Sequence, residues 1–185
     1  MIPRDLRRSR KFKQPKPAVW LVLIVLIAWA IFRTFTDDAA PLAPADLGEG
    51  NHHVERVIDG DTLRVSPGET VRLIGVNTPE TVKRDYPVEP WGPEASAFTK
   101  KFVAGGTVRL QFDRERIDPH GRYLAYVWVG ERMLNEVLAR EGLARYEPQY
   151  RYSPTMKRRF RQAQRAAQDE HRGIWSSRQP AGGRR

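Results

Sequence analysis

Two short acidic runs carry the residue types best suited to holding a divalent cation. The first is Ile58-Asp59-Gly60-Asp61-Thr62 and the second is Asn77-Thr78-Pro79-Glu80. Brought together, Asp59, Asp61, Asn77 and Glu80, with the Thr78 carbonyl nearby, present hard oxygen donors that suit Ca²⁺ or Mg²⁺ and not Zn²⁺. Taken alone, the first run is equally a hairpin turn and the second a Thr-Pro-Glu turn, both with acids that face water. Arg72 changes the weighing. It alternates with Ile74 and Val76 within residues 71–76, a spacing that puts it on one strand face with two apolar residues. A guanidinium on an inward face needs an anion, because an unpaired buried charge is costly. A phosphate lying between a divalent cation and Arg72 would supply one. Arg122, at the end of the turn Asp118-Pro119-His120-Gly121-Arg122, is a second group of the same kind.

These residues need elements to position them. Runs rich in β-branched residues at 53–58, 62–65 and 71–76 read as strands, separated by Asp-Gly-Asp and Ser-Pro-Gly-Glu turns. Trp91-Gly92-Pro93-Glu94 opens a helix with proline at its first position and an acid after it. Ala95, Phe98, Phe102 and Val103 form its apolar stripe, and Gly105-Gly106 ends it. Residues 108–112 and 123–129 read as two more strands. Leu134, Val137 and Leu138 mark a second helix that stops at Gly142, and Ser153-Pro154 starts a third that reaches toward His171, with Gly173 beyond its end. There is no internal repeat. The order predicts a mainly β fold, a small five-stranded barrel accompanied by three helices.

The length of 185 residues fits one ordinary domain with a short appendage. The net charge of +10 is unevenly spread: residues 1–17 carry +6, 18–50 carry −3, 51–150 carry −1 and 151–185 carry +8. A 40% hydrophobic fraction with five Trp excludes a wholly disordered basic tail. The absence of cysteine excludes disulfides, thiolate metal sites, a cysteine nucleophile and a lipoprotein anchor.

Residues 18–32 form an unbroken apolar run of 15 residues. As a helix it spans roughly 22 Å, and the flanking residues to 35 extend it toward membrane thickness, with Lys16 and Arg33 able to reach outward. The run is apolar all round, which argues against a buried core helix. An uncleaved signal anchor is the favoured reading. A cleaved signal peptide is the competing one, although the Ala43-Pro44-Ala45 site lies far beyond the apolar run. Seven basic residues precede the run and Arg33 alone follows closely, so residues 1–17 read as a cytoplasmic tail and everything after the run as external, periplasmic or extracellular. Residues 36–50, rich in Ala, Pro, Asp and Gly, read as a linker, 51–177 as the folded domain and 178–185 as a flexible basic tail.

Read together, the motifs resemble the thermonuclease (staphylococcal nuclease) family. The resemblance rests on Ile58 through Thr62, on Val71-Arg72-Leu73-Ile74-Gly75-Val76-Asn77-Thr78-Pro79-Glu80-Thr81, on Trp91-Gly92-Pro93-Glu94-Ala95-Ser96-Ala97-Phe98-Thr99-Lys100-Lys101, on Gly121-Arg122-Tyr123-Leu124-Ala125-Tyr126 and on Gly173-Ile174-Trp175-Ser176. It covers about residues 52–177 in unbroken order, which is more specific than any one motif. It implies an OB-fold barrel with three helices and a Ca²⁺-dependent phosphodiesterase acting on DNA and RNA, with one ion, as a monomeric catalytic domain. By the same resemblance Asp61 and the Thr78 carbonyl bind calcium and Asp59 stands just behind them. Arg72 and Arg122 bind phosphate, Glu80 is the general base or water-orienting group, and cleavage leaves 3′-phosphate ends. Two positions depart from the best-known member: Asn77 stands in place of Asp, removing one negative charge from the metal site, and His120 in place of Tyr beside the bound nucleotide.

Lys157, Arg158, Arg159, Arg161, Arg165 and Arg172 make the third helix strongly basic. With Tyr146, Tyr150 and Tyr152 before it, this segment could guide a polyanion, with Tyr152 as a candidate base contact. His52, His53 and His171 have no metal-ligand spacing and read as surface residues. The competing function is a non-catalytic, membrane-tethered nucleic-acid-binding OB module, which Asn77 favours. A tethered protein-interaction domain leaves both strand-placed arginines unexplained.

Overall fold

The computed structural model describes residues 47–81 and 88–177. All of them fall within one compact unit, Pro44–Arg185. The apolar segment at 18–35, the segment 1–17 read as a cytoplasmic tail and the basic tail at 178–185 lie outside the described residues. Among the described residues, no helix is long and apolar enough to cross a membrane.

Strand β1 (Gly50–Asp59) turns through Gly60-Asp61 into β2 (Thr62–Val65), and β2 turns into β3 (Glu69–Leu73). All three pair antiparallel, with Val57 opposite Leu63 and Leu63 opposite Val71. After β4 (Val76–Asn77) and helix α1 (Gly92–Phe102), the long strand β5 (Thr107–Ile117) pairs with β1 and with β6 (Tyr123–Val129). Closure comes from β6 running parallel to β3, with Arg72 opposite Leu124 and Leu73 opposite Ala125. Strands β1, β2, β3, β6 and β5 thus form a closed five-stranded barrel of OB type, as the strand order predicted. Leu63, Val65, Val71, Leu73, Leu110, Leu124 and Tyr126 are buried in its core. Short β7 (Arg132–Met133) leads into α2 (Leu134–Arg140), β8 (Arg145–Tyr146) and α3 (Pro154–Asp169), and a 3-10 turn at Gly173–Trp175 follows. Ser153 caps α3, its hydroxyl accepting from the Thr155 N–H at 3.2 Å.

The structure departs from the sequence reading after Leu73. Residues 71–76 are not one strand: the chain bends at Ile74-Gly75, and β4 then leaves the barrel to pair with β8, Val76 opposite Tyr146 and Asn77 opposite Arg145. Gly75 sits at φ +82°, and a Cβ there would come within 2.7 Å of the Phe160 ring, so only glycine fits. Asn135, fully buried, staples the bend: its amide nitrogen donates to the Ile74 carbonyl (2.9 Å) and the Ala125 carbonyl (3.2 Å), while its oxygen accepts from the Val127 N–H (2.9 Å). Leu47 is 2% exposed and Gly50 opens β1, so the end of the segment read as linker packs on the barrel.

Candidate active site

The β1–β2 turn is pulled against α1 and against the loop that follows β4. Thr99 donates its hydroxyl to the Gly60 carbonyl at 2.6 Å. A Cβ on Gly60 would meet the Thr78 side chain at 2.8 Å and Ala95 at 2.9 Å, so the two acidic runs touch only because residue 60 is glycine. Asp61 Oδ2 accepts the Thr78 N–H at 2.8 Å, which joins the two runs directly.

Asp59 does something different. Its Oδ1 accepts from the Gly60 N–H (2.8 Å), the Thr81 hydroxyl (2.6 Å) and the Ser96 hydroxyl (3.0 Å), and its Oδ2 accepts from the Thr81 N–H (3.3 Å). It therefore anchors the far end of the Asn77–Thr81 loop to the turn and to α1. The loop is held again at Glu80, whose carbonyl accepts the Glu89 N–H (2.9 Å) and whose N–H donates to Glu89 Oε2 (3.2 Å).

Arg72 is only 6% exposed, as the inward reading required, but the anion it needs is supplied by the protein. Nη1 pairs with Asp61 Oδ1 at 2.5 Å; Nη2 donates to Asn77 Oδ1 at 2.6 Å and to Glu147 Oε2 at 3.2 Å. Burial opposes the charge, yet the attraction and hydrogen bond from Asp61, joined by the Tyr150 hydroxyl, raise the guanidinium's pKa above its ordinary value. The Arg72 Nε is buried without an acceptor, so the ring of acceptors around this guanidinium is incomplete.

Arg122 is placed by Asp118, which sits at the β5–β6 turn. Asp118 Oδ1 accepts the His120 N–H (2.8 Å) and the Arg122 N–H (2.9 Å), and its Oδ2 pairs with Arg122 Nε at 2.7 Å. Burial pushes the Asp118 carboxyl upward, but these donors and the Arg122 charge outweigh it and hold its pKa below the usual value.

The consequence is an open cleft of about 490 Å³ lined by Arg72, Asn77, Glu80, His120 and Arg122. Five of the residues singled out from sequence thus share one space. Glu115 and Glu147 line it as well and were missed, and so does Tyr150, named from sequence only as one of three loop tyrosines. Glu147 follows β8, a two-residue strand with no readable periodicity, so nothing local signalled it. Tyr152 does not belong to the cleft: it is 2% exposed, its hydroxyl donates to the Glu147 carbonyl at 2.8 Å, and its ring packs on Phe160. Tyr150, two positions earlier and 8% exposed, takes the place expected of it.

Of the oxygen donors read from sequence, Asn77 lines the cleft, and Asp61 and Thr78 are buried next to it, joined to each other and, through Arg72, to Asn77. No group of three or more His, Asp or Glu side chains is arranged to hold a metal among the described residues. The donor set is nevertheless all hard oxygen, and Asp61 Oδ2, which accepts the Thr78 N–H, keeps spare acceptor capacity, whereas Oδ1 is taken up by the Thr62 hydroxyl and Arg72. In its chemistry such a set fits Ca²⁺, with a low ligand charge.

Two arginines and a glutamate thus line one cleft, and sequence comparison supplies the family. The family model for staphylococcal nuclease homologues matches residues 70–177, more than half of the chain. The chain belongs to that family. Within the family, it is 43% identical over 166 residues to a thermonuclease of Staphylococcus hyicus, covering 85% of this chain and 96% of that protein. It is 44% identical over 162 residues to a thermonuclease of Staphylococcus intermedius, covering 84% and 94%. A protein of Bacillus subtilis (strain 168) named Endonuclease YncB is 40% identical over 134 residues, covering 68% of this chain and 62% of that one. The chain is accordingly a nuclease-type hydrolase.

Proposed function

We propose that this chain is a calcium-assisted endonuclease that hydrolyses phosphodiester bonds of DNA, RNA or both with little sequence selectivity. The observation that carries the reading is one cleft lined by Arg72, Arg122 and Glu80 together. A single Ca²⁺, held by Asp61, the Asn77 side-chain oxygen and the Thr78 carbonyl, would polarise a phosphoryl oxygen. Arg72 and Arg122 donate to the non-bridging oxygens and stabilise the dianion that develops as water attacks in line. Asp118 grips Arg122 at Nε, the atom nearest the chain, and so aims the guanidinium. Glu80 accepts the proton of the attacking water or orients it. Its backbone is fixed on both sides by Glu89, which suits a group that must hold its position. Contacts of this kind go to the phosphate backbone, which carries no sequence information. By family resemblance the bond broken is that to the 5′-oxygen, leaving 3′-phosphate ends.

We further propose that residues 18–35 attach the protein to a membrane as a signal anchor, or are removed as a signal peptide, with the barrel domain outside the cytoplasm. Protease added to spheroplasts, in which no outer membrane shields the surface, then digests an anchored barrel domain, or a cleaved one appears in the released fraction; a full-length, fully protected chain sinks this topology.

Incubating the purified protein with single- and double-stranded DNA and RNA, in calcium and in chelator, tests the catalytic reading. Products form in calcium and disappear in chelator, and Glu80→Gln lowers the rate by about 10²–10⁴-fold. Equal rates with and without calcium contradict the metal role. The alternative, a non-catalytic binding module, draws support from Asn77 and from the engagement of Arg72 by Asp61 and Glu147. It predicts salt-sensitive binding with no product.

A further inference from the structure

A second cleft of about 390 Å³ lies against the first, and Asn77 lines both. Its wall includes Thr78, Pro79, Trp91, Arg145, Ile174 and Ser177, together with Glu89. The β4–β8 ribbon sets the two clefts side by side. Asn77 stands directly opposite Arg145 in that ribbon, so the two side chains project on the same face, with backbones about 5 Å apart. On the catalytic side Asn77 accepts from Arg72 at 2.6 Å. Arg145 is exposed, and its guanidinium lies over the Trp175 ring, 4.9 Å from the centroid. That stack fixes the charge without neutralising it. Trp91, Pro79 and Ile174 give the same cleft an apolar surface, whereas Glu89, the acid in the wall, is engaged with the Glu80 N–H.

We propose that this second cleft is a polynucleotide subsite, which takes the nucleotide next to the scissile phosphate of a single strand. The inference rests on the nuclease reading of the first cleft and extends it. A strand whose reacting phosphate sits at Arg72 and Arg122 crosses Asn77 and presents its neighbouring phosphate to Arg145. The adjoining base lies against the Trp91 surface. A cation beside an aromatic platform, continuous with a phosphate site, is the arrangement that binds single strands with little base preference, because every base has a stackable face. A paired duplex keeps its bases stacked inside and cannot offer one to the platform.

Binding to the full chain, solubilised in detergent with chelator present, separates this subsite from the catalytic cleft. The two probes are a labelled single-stranded 12-mer and a nucleoside bisphosphate short enough to occupy the first cleft alone. Arg145→Gln weakens binding of the 12-mer by about tenfold and lowers the salt slope by about 0.7, one phosphate contact on a single strand, and leaves the bisphosphate unchanged. Ser177→Glu, which leaves the Arg145–Trp175 stack in place, has the same selective effect through like-charge repulsion. No change for the 12-mer in either variant, or an equal loss for both probes, overturns the subsite. Restoring calcium reads the nuclease activity separately. A wild-type chain that shows the length-selective binding but no hydrolysis contradicts the nuclease reading and leaves the subsite standing.

Discussion

Glu147 and Asn77 compete for the same nitrogen of Arg72, and that competition governs how the site meets an anion. Asn77 is neutral, so the negative charge around this guanidinium comes from Asp61 and Glu147. Of the two, Glu147 is the more exposed, and its contact is longer, 3.2 Å against 2.5 Å. An entering phosphate therefore displaces Glu147 before it disturbs Asp61. Removing the Glu147 charge removes a like-charge neighbour of the phosphate, so Glu147→Gln binds a nucleoside bisphosphate about three- to tenfold more tightly in chelator. Calorimetric titration checks this, and weaker binding means that Glu147 is needed to hold Arg72 in place. The grouping of Arg72, Arg122 and Glu80, with Asp61 paired to Arg72, was legible in the sequence because each stands at a turn or strand end with a recognisable neighbourhood. Glu147 was not, since only the pairing of β8 with β4 brings it to Arg72. Tyr152 was singled out from a loop with three tyrosines that carries no signal to separate them; both it and Tyr150 are buried, but Tyr152 packs on Phe160 and Tyr150 is the one that lines the cleft.

The elements explain why these residues meet. Four strands of the barrel and the third helix start close to where alternation and capping signals put them. The break after Leu73 was hidden, because 71–76 is apolar throughout apart from Arg72 and its only mark is Gly75. That glycine is where the barrel releases the catalytic loop. Gly75→Ala forces a left-handed backbone on alanine and drives a methyl into Phe160, costing about 2 kcal/mol or more. Gly105→Ala is the control, with open space around its Cβ, and its melting temperature stays near that of the wild type. The β5–β6 turn depends on a carboxylate instead. The pKa of Asp118 lies below its ordinary 3.8, so its contribution is fully present above that value and fades as pH falls through the depressed folded value. Asp118→Asn consequently lowers the melting temperature by about 5 °C or more near pH 7. The difference from wild type narrows in acid below pH 3.8, and a pH-independent difference would show that charge is not what holds the turn.

Across the whole molecule, the net charge of +10 is a poor guide to the chemistry. Catalysis is assigned to the near-neutral middle, where carboxylates and arginines are matched one against another. The basic third helix is partly committed to structure: Arg159 pairs with Glu136, Lys157 lies over Tyr152 and Arg161 over Tyr146. Arg158 and Arg165 stay exposed and are suited to drawing a polyanion toward the clefts. The barrel was readable as a whole because its strands alternate and its turns carry glycine, proline and aspartate. Its two-residue strands were not, and they are the part that sets the clefts side by side. The central claim is that the cleft between Arg72 and Arg122 performs the hydrolysis. Its most direct test is the kcat/KM of Arg122→Ala on single-stranded DNA in calcium, measured beside its melting curve. The expected result is a loss of about 10²–10³-fold in a protein that still melts cooperatively. A folded variant within threefold of wild type would contradict the account.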